Sequence, residues 1–189
     1  NFHQISDDDV QEDVIYLANC VHLSTINQIE FGSSFNKYHW KHAQFILQVC
    51  SNVFDLTILT ALLISSKFID NPSLIPVFKQ IKVIETILED VYFPSNFASK
   101  FVERFPSLIQ IELQVISFNN CVSIIDTFLS RLKNLAYLKI DYFEDSSLDD
   151  PFSRENIIEK RRQAFPTNTI NEQAISVKND GEVVEIWLI

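Results

Sequence analysis

The histidines are the first residues whose spacing could support chemistry. His39 and His42 lie three positions apart, so on a helix both imidazoles could contact one metal ion. A closed metal site needs two further ligands, and Cys50 lies too far along the helix face to be an obvious third. None of the four histidines can be placed in a defensible arrangement with a nucleophilic serine or cysteine. We therefore expect no catalytic residue, no metal and no cofactor, and a protein that is not an enzyme.

Two kinds of charged cluster are the other candidates. Carboxylates within residues 7–13 and 144–150 could act as acid and base or bind calcium, but they lack the alternating ligands and central glycine of a calcium loop. We interpret them as helix N-terminal charge and a solvated loop. The basic run 160–162 could be a targeting signal or a phosphate contact. We interpret it as a solvated helix face, paired with the loop at 144–150.

Composition excludes several classes of function. The chain has 189 residues and is 47% hydrophobic, so it can bury a core. Its 15 basic and 25 acidic residues give a net charge of −10, which disfavours nucleic acid and an anionic membrane as partners. Only 2 glycines are present, which argues against a phosphate-binding loop. The longest apolar stretch, residues 53–64, is too short to span a bilayer.

The first residue and the cysteines bear on the cellular setting. The sequence contains no methionine, even at position 1, so we expect a fragment or a processed product of a longer chain. Cys20, Cys50 and Cys121 are odd in number and far apart, and they occupy apolar positions where a free thiol packs like a small hydrophobic residue. These features favour a reducing, intracellular location, either cytoplasmic or nuclear.

The strongest pattern is an internal repeat of 27 to 28 residues. Each unit has apolar residues at its positions 1, 4, 7 and 9, and 19 of these 20 positions are apolar, with Thr86 as the exception. Chance would fill only about ten, since roughly half of the chain is apolar. The second of these four apolar positions, position 4 of each unit, recurs at steps of 27, 28, 27 and 27. Its residues are Ile26, Val53, Ile81, Leu108 and Leu135.

Each unit predicts one helix followed by one short strand. Its last two apolar positions lie two residues apart, as on one face of a strand, whereas the preceding segment has helical spacing. One helix and one strand cannot bury both apolar faces, so the units must stack, with the strands in a parallel sheet and the helices behind it. The predicted neighbours across that sheet are Ile29, Leu56, Ile84, Ile111 and Leu138.

The spacing Leu-x-x-Leu-x-Leu, with a helix between strands, resembles leucine-rich repeats of the ribonuclease-inhibitor type, which also occur in F-box/leucine-rich-repeat proteins. The resemblance covers residues 8–143 and is best at 135–140, then at 108–113. It implies an α/β solenoid of five degenerate repeats over residues 1–143, with a parallel sheet on one face and helices on the other. The sequence departs from the family at the next position, usually Asn or Cys, which here holds Ser34, Ala61, Glu89, Ile116 and Phe143.

After Ile140 the period ends. Residues 144–189 are expected to form an acidic loop, a helix and a β-hairpin, which together cap the last repeat. Asp180 and Gly181 lie between two apolar runs and predict the hairpin turn. We expect the strand containing Ile175 to pair with the sheet and residues 183–188 to form its edge.

Outward-facing residues of the predicted sheet indicate a binding surface on its concave side. Three carboxylates occur in the predicted middle row of Glu30, Thr57, Glu85, Glu112 and Lys139, and like charges on adjacent strands repel, so they do not serve folding. General solubility is the simpler alternative explanation. We predict a docking surface for a basic segment of another protein, with Leu59, Ile87 and Tyr137 as apolar anchors. The predicted surface consists of Glu30, Asp55, Thr57, Leu59, Glu85, Ile87, Gln110, Glu112, Tyr137 and Lys139.

The resemblance implies a non-enzymatic protein-binding scaffold, the substrate-recognition region of an F-box-type ubiquitin-ligase receptor. In such proteins the repeats hold the target while an upstream F-box binds the adaptor of a cullin-type ligase, and this sequence contains no F-box residues. The alternative is a leucine-rich-repeat adaptor or immune-receptor module outside the ubiquitin system. A third alternative, from a different class, is a hydrolase with its site on the rim of the sheet.

Overall fold

The computed structural model describes residues 23–32, 35, 38–87, 89–144, 151–168 and 171–188, and its strands form one seven-stranded sheet. The sheet is open, with the strand order β1-β2-β3-β4-β5-β7-β6. Its first four pairings are parallel and its last two antiparallel, so the chain has the predicted α/β class with a mostly parallel sheet. The strands are β1 Gln28–Glu30, β2 Asp55–Leu59, β3 Val83–Ile87, β4 Gln110–Ser117, β5 Tyr137–Glu144, β6 Ile175–Asn179 and β7 Val183–Leu188.

The predicted register of the parallel strands is confirmed. Ile29 pairs with Leu56, which is followed across the sheet by Ile84, Ile111 and Leu138. All but Ile29 are fully buried. Because side chains alternate along a strand, the residues between these positions lie on the opposite face.

One pattern of backbone hydrogen bonds recurs where the chain enters the strands, and we call each instance a joint. The carbonyl of the residue before a strand accepts from two consecutive N–H groups at the entrance to the next strand, at 2.7–3.1 Å. In the first joint, Asn27 accepts from Phe54 and Asp55. The fifth carbonyl of the series, at Ala136, accepts from Leu188 of β7 instead, at 2.8 Å. The acceptors of the four double joints follow the repeat of the sequence and are Asn27, Phe54, Lys82 and Ile109.

The helices cover one face of the sheet. Their buried side chains form a single hydrophobic core with the inward side chains of the strands. None of the described helices is both long enough and apolar enough to cross a membrane. They are α1 Trp40–Val49, α2 Thr60–Leu63, α3 Ser66–Ile69, α4 Ile75–Phe78, α5 Ala98–Arg104, α6 Phe118–Arg131 and α7 Arg154–Ala164.

Helix length varies widely between successive strands. Three four-residue helices separate β2 from β3, whereas one helix of 14 residues separates β4 from β5. Pro72 lies in the turn between α3 and α4, where its lack of an N–H disfavours a continuous helix, and Pro76 lies in the first turn of α4, where an N–H is not needed. The helix predicted before β1 falls within residues 1–22, outside the described residues.

The C-terminal hairpin joins the sheet in the order opposite to our prediction. β7 pairs with β5, and β6 forms the edge. β7 has two fully buried residues, Val184 and Ile186, whereas β6 has one buried residue, Ile175. The more apolar strand therefore takes the inner position, where it covers more of the core. Gly181 in the turn has a φ of 94°, which glycine adopts without steric cost.

Arg161 contradicts its predicted place on a solvated helix face. Only 6% of the residue is exposed. Its guanidinium donates to the carbonyls of Leu129 and Leu132 at 2.9 and 2.8 Å, and to that of Lys133 at 2.8 Å. These carbonyls lie at the C-terminal end of α6, where no further helical turn supplies donors and where the helix dipole favours a cation. Arg161 therefore ties α7 to α6.

The two basic residues beside Arg161 pair within the described fold, which differs from the predicted pairing with the loop at 144–150. Lys160 forms an ion pair with Asp126, and Arg162 forms one with Glu172. Residues 145–150 of that loop lie outside the described residues.

Candidate binding face of the sheet

The face of the sheet opposite the helices carries the predicted charged row. We call it the open face and define it by the alternate residues of β1–β5, β7 and β6 that point away from the core. Strand pairing places the five predicted residues of the row side by side and continues it through two residues of the hairpin. In order across the sheet, the row is Glu30, Thr57, Glu85, Glu112, Lys139, Glu185 and Lys178.

Glu112 is the most constrained carboxylate of this row. Its Oε2 atom lies 3.5 Å from Lys139 Nζ, and its Oε1 accepts from Gln110 Nε2 at 3.1 Å. Both oxygens are thus engaged within the face. Glu85, its neighbour on β3, forms no ion pair with any described residue.

Partial burial raises the proton affinity of several carboxylates on this face. Partial burial, followed by the charge of Glu112, raises the pKa of Glu85. Burial also raises the pKa of Asp55 and that of Asp141, although Lys139 opposes the rise at Asp141. The face therefore holds negative charge that its own residues do not fully neutralise, and a cation placed there would be favoured.

An aromatic pair lies at the end of the open face where the parallel strands begin. Tyr137 and its cross-strand partner Trp187 have ring centroids 5.4 Å apart. Burial and the nearby charges of Glu112, Glu185 and Asp141 raise the pKa of Tyr137 to about 12. The sequence had predicted Tyr137 as an anchor but missed Trp187, because β7 was predicted to be a distant edge strand.

Leu59 is not the exposed anchor that we predicted. It is 5% exposed and belongs to the core, because the chain turns into α2 at Thr60 and closes this corner. The loop after β3 also reaches the corner, where Glu89 Oε1 accepts from the Ala61 N–H at 2.7 Å. Ile87 is half-buried and packs against the core.

A cavity of about 130 Å³ opens on the face above β4. Gln114 lies in its wall and is 6% exposed, and its side-chain Oε1 has no hydrogen-bond partner. Alternation along β4 places Gln114 on this face, although it is not among the residues predicted for the binding surface. Its cavity is lined by Glu85, Thr86, Glu112, Leu113, Gln114, Lys139 and Asp141.

Apolar groups lie beside this cavity. A second, larger cavity of about 300 Å³ shares Asp141 with it and is also lined by Phe143 and Val183. Phe143 is 58% exposed, and its ring centroid lies 5.3 Å from that of Tyr92. Ile116, on β4 next to the strand that carries Phe143, is 42% exposed. Negative charge and exposed apolar surface therefore adjoin each other.

The histidine pair does not assemble a metal centre within the described residues. The rings of His39 and His42 lie 5.6 Å apart, and no group of three or more His, Cys, Asp or Glu residues there could hold a metal ion. The carboxylates at 7–13 lie outside the described residues, as do those at 145, 149 and 150. Cys121 is fully buried, and burial raises the pKa of its thiol to about 12, so it is unsuited to nucleophilic chemistry.

Comparison with known proteins adds no assignment to this geometry. The chain matches no protein-family model, no curated protein and no solved structure. The open face and the repeat of the sequence are therefore the basis for a functional proposal.

Proposed function

We propose that the chain is a non-enzymatic, protein-binding region of the leucine-rich-repeat solenoid type, and that its open face binds a basic segment of another protein. The observation that carries the proposal is the charge of that face. Its central row contains four carboxylates and two ammonium groups, and Asp55 and Asp141 flank the row. A basic segment would neutralise this excess charge, which the fold leaves in place at a cost to its own stability.

The aromatic and apolar groups at both ends of the strands suit a polypeptide partner. Tyr137 and Trp187 lie at one end, and Tyr92, Ile116 and Phe143 lie at the other. Aromatic side chains give large contact areas at little conformational cost, and they are enriched at the centres of protein interfaces. A charged middle between two apolar borders favours an extended segment that crosses the row.

Two features support the solenoid part of the proposal. The backbone joints at Asn27, Phe54, Lys82 and Ile109 repeat with the period of the sequence. In addition, Glu89 occupies the position that usually holds Asn or Cys in leucine-rich repeats, and it accepts from the backbone of Ala61, the equivalent residue one unit earlier. A side chain that links equivalent positions is the role that the family assigns to its Asn.

The role as a receptor region of an F-box-type ubiquitin ligase rests on the resemblance alone. The test is to express the natural full-length protein and to ask whether the adaptor of a cullin-type ligase co-purifies with it. Absence of the adaptor would contradict the ubiquitin-ligase role but not binding at the open face. An adaptor or immune-receptor role is the outcome expected if the upstream sequence encodes a nucleotide-binding domain instead of an F-box.

Binding at the open face is tested by reversing its charge. We expect the double variant Glu85→Lys and Glu112→Lys to bind a fluorescent 15-residue Arg/Lys-rich peptide at least tenfold more weakly than the unmodified chain, measured by fluorescence anisotropy. Thermal stability should change little, because neither side chain belongs to the core.

The matched control is Glu103→Lys with Glu155→Lys, which makes the same change in net charge on exposed helical residues away from the open face. This control should retain most of the affinity for the peptide. Equal losses in both double variants would show that net charge alone drives binding, and unchanged binding in the open-face variant would contradict the proposal directly.

A further inference from the structure

The residues that immediately precede the parallel strands form a second row, along the edge of the sheet where these strands begin. The backbone joints hold its members side by side, because the carbonyl of Phe54 accepts from the Lys82 N–H at 2.7 Å, and that of Lys82 accepts from the Ile109 N–H at 2.7 Å. We call it the entrance row. In order across the sheet, it consists of Asn27, Phe54, Lys82, Ile109 and Ala136.

Two large apolar side chains of the entrance row are exposed to solvent. They belong to Phe54 and Ile109, and neither residue contributes to the hydrophobic core. Single exposed apolar residues are common on protein surfaces, whereas neighbouring ones mark interaction sites. Here the two residues occupy equivalent positions on either side of Lys82, so one partner element can cover both.

Positive charge accompanies these apolar groups. The Lys82 ammonium lies 5.9 Å from the centroid of the Phe54 ring and forms no ion pair with any described residue. The four aligned segments that lead into β2–β5 contain no carboxylate and also supply Lys79 and Lys133, although the whole chain has a net charge of −10. This edge therefore favours an acidic partner. The segments are residues 51–54, 79–82, 106–109 and 133–136.

The spacing of the row selects the kind of partner. Adjacent strands are about 4.8 Å apart, so Phe54 and Ile109, which precede β2 and β4, are separated by roughly 10 Å along the row. Seven residues of an α-helix rise about 10.5 Å and return to nearly the same side of the helix. In an extended segment the side chains on one face recur about every 6.7 Å, which matches the separation less well.

We propose that the entrance row binds an acidic amphipathic helix of a partner protein. Two apolar side chains of that helix, seven positions apart, pack on Phe54 and Ile109. An acidic side chain three or four positions after the first lies over Lys82, because residues at these spacings share one side of a helix. The entrance row is separate from the open face, so the inference goes beyond the proposed function and does not depend on it.

The experiment is an NMR titration of the ¹⁵N-labelled chain with a blocked, alanine-based helical peptide of 16 residues. The peptide has leucine at its fifth and twelfth positions and glutamate at its eighth and ninth. We expect the backbone amide signals of Phe54, Lys82 and Ile109 to shift and to saturate with the largest changes in the spectrum. Absence of saturable shifts at these residues would overturn the inference.

Two further peptides test the spacing and the charge. In the first, the second leucine is moved from the twelfth position to the tenth, which turns it to the opposite side of the helix at unchanged composition. In the second, both glutamates are replaced by glutamine. Each should bind at least fivefold more weakly than the parent peptide, with matched helicity by circular dichroism. Equal affinity of either peptide would contradict the proposed mode of binding.

Matched variants of the chain locate the contact. Lys82→Glu should weaken binding of the parent peptide at least tenfold, whereas Lys67→Glu should leave it unchanged, although the Lys67 ammonium also lies 5.9 Å from an aromatic ring, that of Trp40. Ile109→Ser should weaken binding at least fivefold. Its control, Ile116→Ser, alters a residue of similar exposure near the other end of β4 and should have no effect. Equal losses in a variant and its control would overturn the inference.

A second copy of the chain and an anionic membrane are the alternative occupants. Self-association in sedimentation equilibrium that Ile109→Ser abolishes and Ile116→Ser does not would identify the row as a contact between copies and overturn the inference. Binding to phosphatidylserine vesicles that is lost in Lys82→Glu, without binding of the helical peptide, would overturn it too. Saturable binding of the peptide to a monomeric chain, lost in Lys82→Glu, would support it.

Discussion

Leu138 and Lys139 are neighbours in β5, but their side chains lie on opposite faces of the sheet. Leu138 is fully buried in the core, whereas the Lys139 side chain is 31% exposed and pairs with Glu112. Burial of apolar area stabilises the fold on the first face, and accumulated carboxylates oppose stability on the second. The contrast teaches that stability and recognition are assigned to alternate residues of the same strands, so substitutions should separate the two properties.

The largest expected effect comes from breaking the core side of this contrast. Leu138→Ala should lower the free energy of unfolding by about 2–5 kcal/mol, because the neighbouring strands cannot close the cavity that it leaves. Lys139→Ala, one residue along, should lower it by no more than about 1 kcal/mol, since it removes a partly exposed ion pair with Glu112. Urea unfolding followed by circular dichroism measures both. Similar losses in the two variants would show that the two faces are not energetically distinct.

Arg161 sharpens the contrast, since it is a charged residue that belongs to the buried side. Arg161→Met should cost about 2–4 kcal/mol of unfolding free energy, because three carbonyls at the end of α6 lose the guanidinium, although that of Leu132 keeps the Leu135 N–H as a donor. Arg162→Met is the matched control and should cost no more than about 0.5 kcal/mol, since its ion pair with Glu172 is exposed. Equal stability of the two variants in urea unfolding would refute this structural role.

The smallest effect expected is the dependence of stability on pH. Glu85, Asp55 and Asp141 have raised pKa values in the folded chain, so at these groups the folded state binds protons more tightly than the unfolded state. Their contribution to the free energy of unfolding therefore falls as pH rises from the ordinary carboxyl pKa of about 4 through the raised values. Stability should increase slightly as pH is lowered from 7 towards 5, and Glu85→Gln should reduce the increase.

Urea unfolding at pH 7, 6 and 5 measures this dependence. At lower pH the trend should reverse, because hydrogen bonding to Lys100 lowers the pKa of Asp70 and that stabilising contribution is lost on protonation. A steady loss of stability from pH 7 to 5 would contradict the expected effect of burial and repulsion on these carboxylates.

The register of the parallel strands was predictable because two spacings determine it together. The period of 27 to 28 residues aligns equivalent positions, and the alternation of apolar residues within each strand selects their face. Ile84, Ile111 and Leu138 are neighbours for that reason. The five predicted residues of the charged row follow from the same argument, because each of them immediately follows one of the aligned apolar residues.

Features that depend on the chain beyond one strand were missed or mistaken. Leu59 is buried by the turn into α2, which alternation within β2 cannot reveal. Gln114 lies in the same flanking row as Leu59 and Ile87, and these two apolar residues were a signal that this row is less exposed. Arg161 gave a signal as well, because it lies three residues after Ile158 on the apolar stripe of its helix.

The series of double joints at Asn27, Phe54, Lys82 and Ile109 has a consequence for how the chain can change in length. Each carbonyl receives the same pair of donors, so a deletion of residues 82–108 would present Phe54 with Ile109 and Gln110 in place of Lys82 and Val83. Loss or gain of a whole unit thus reproduces an equivalent connection, whereas an indel of one residue within a strand would move its side chains to the wrong face. Duplication and excision of entire units are the rearrangements that this backbone accommodates.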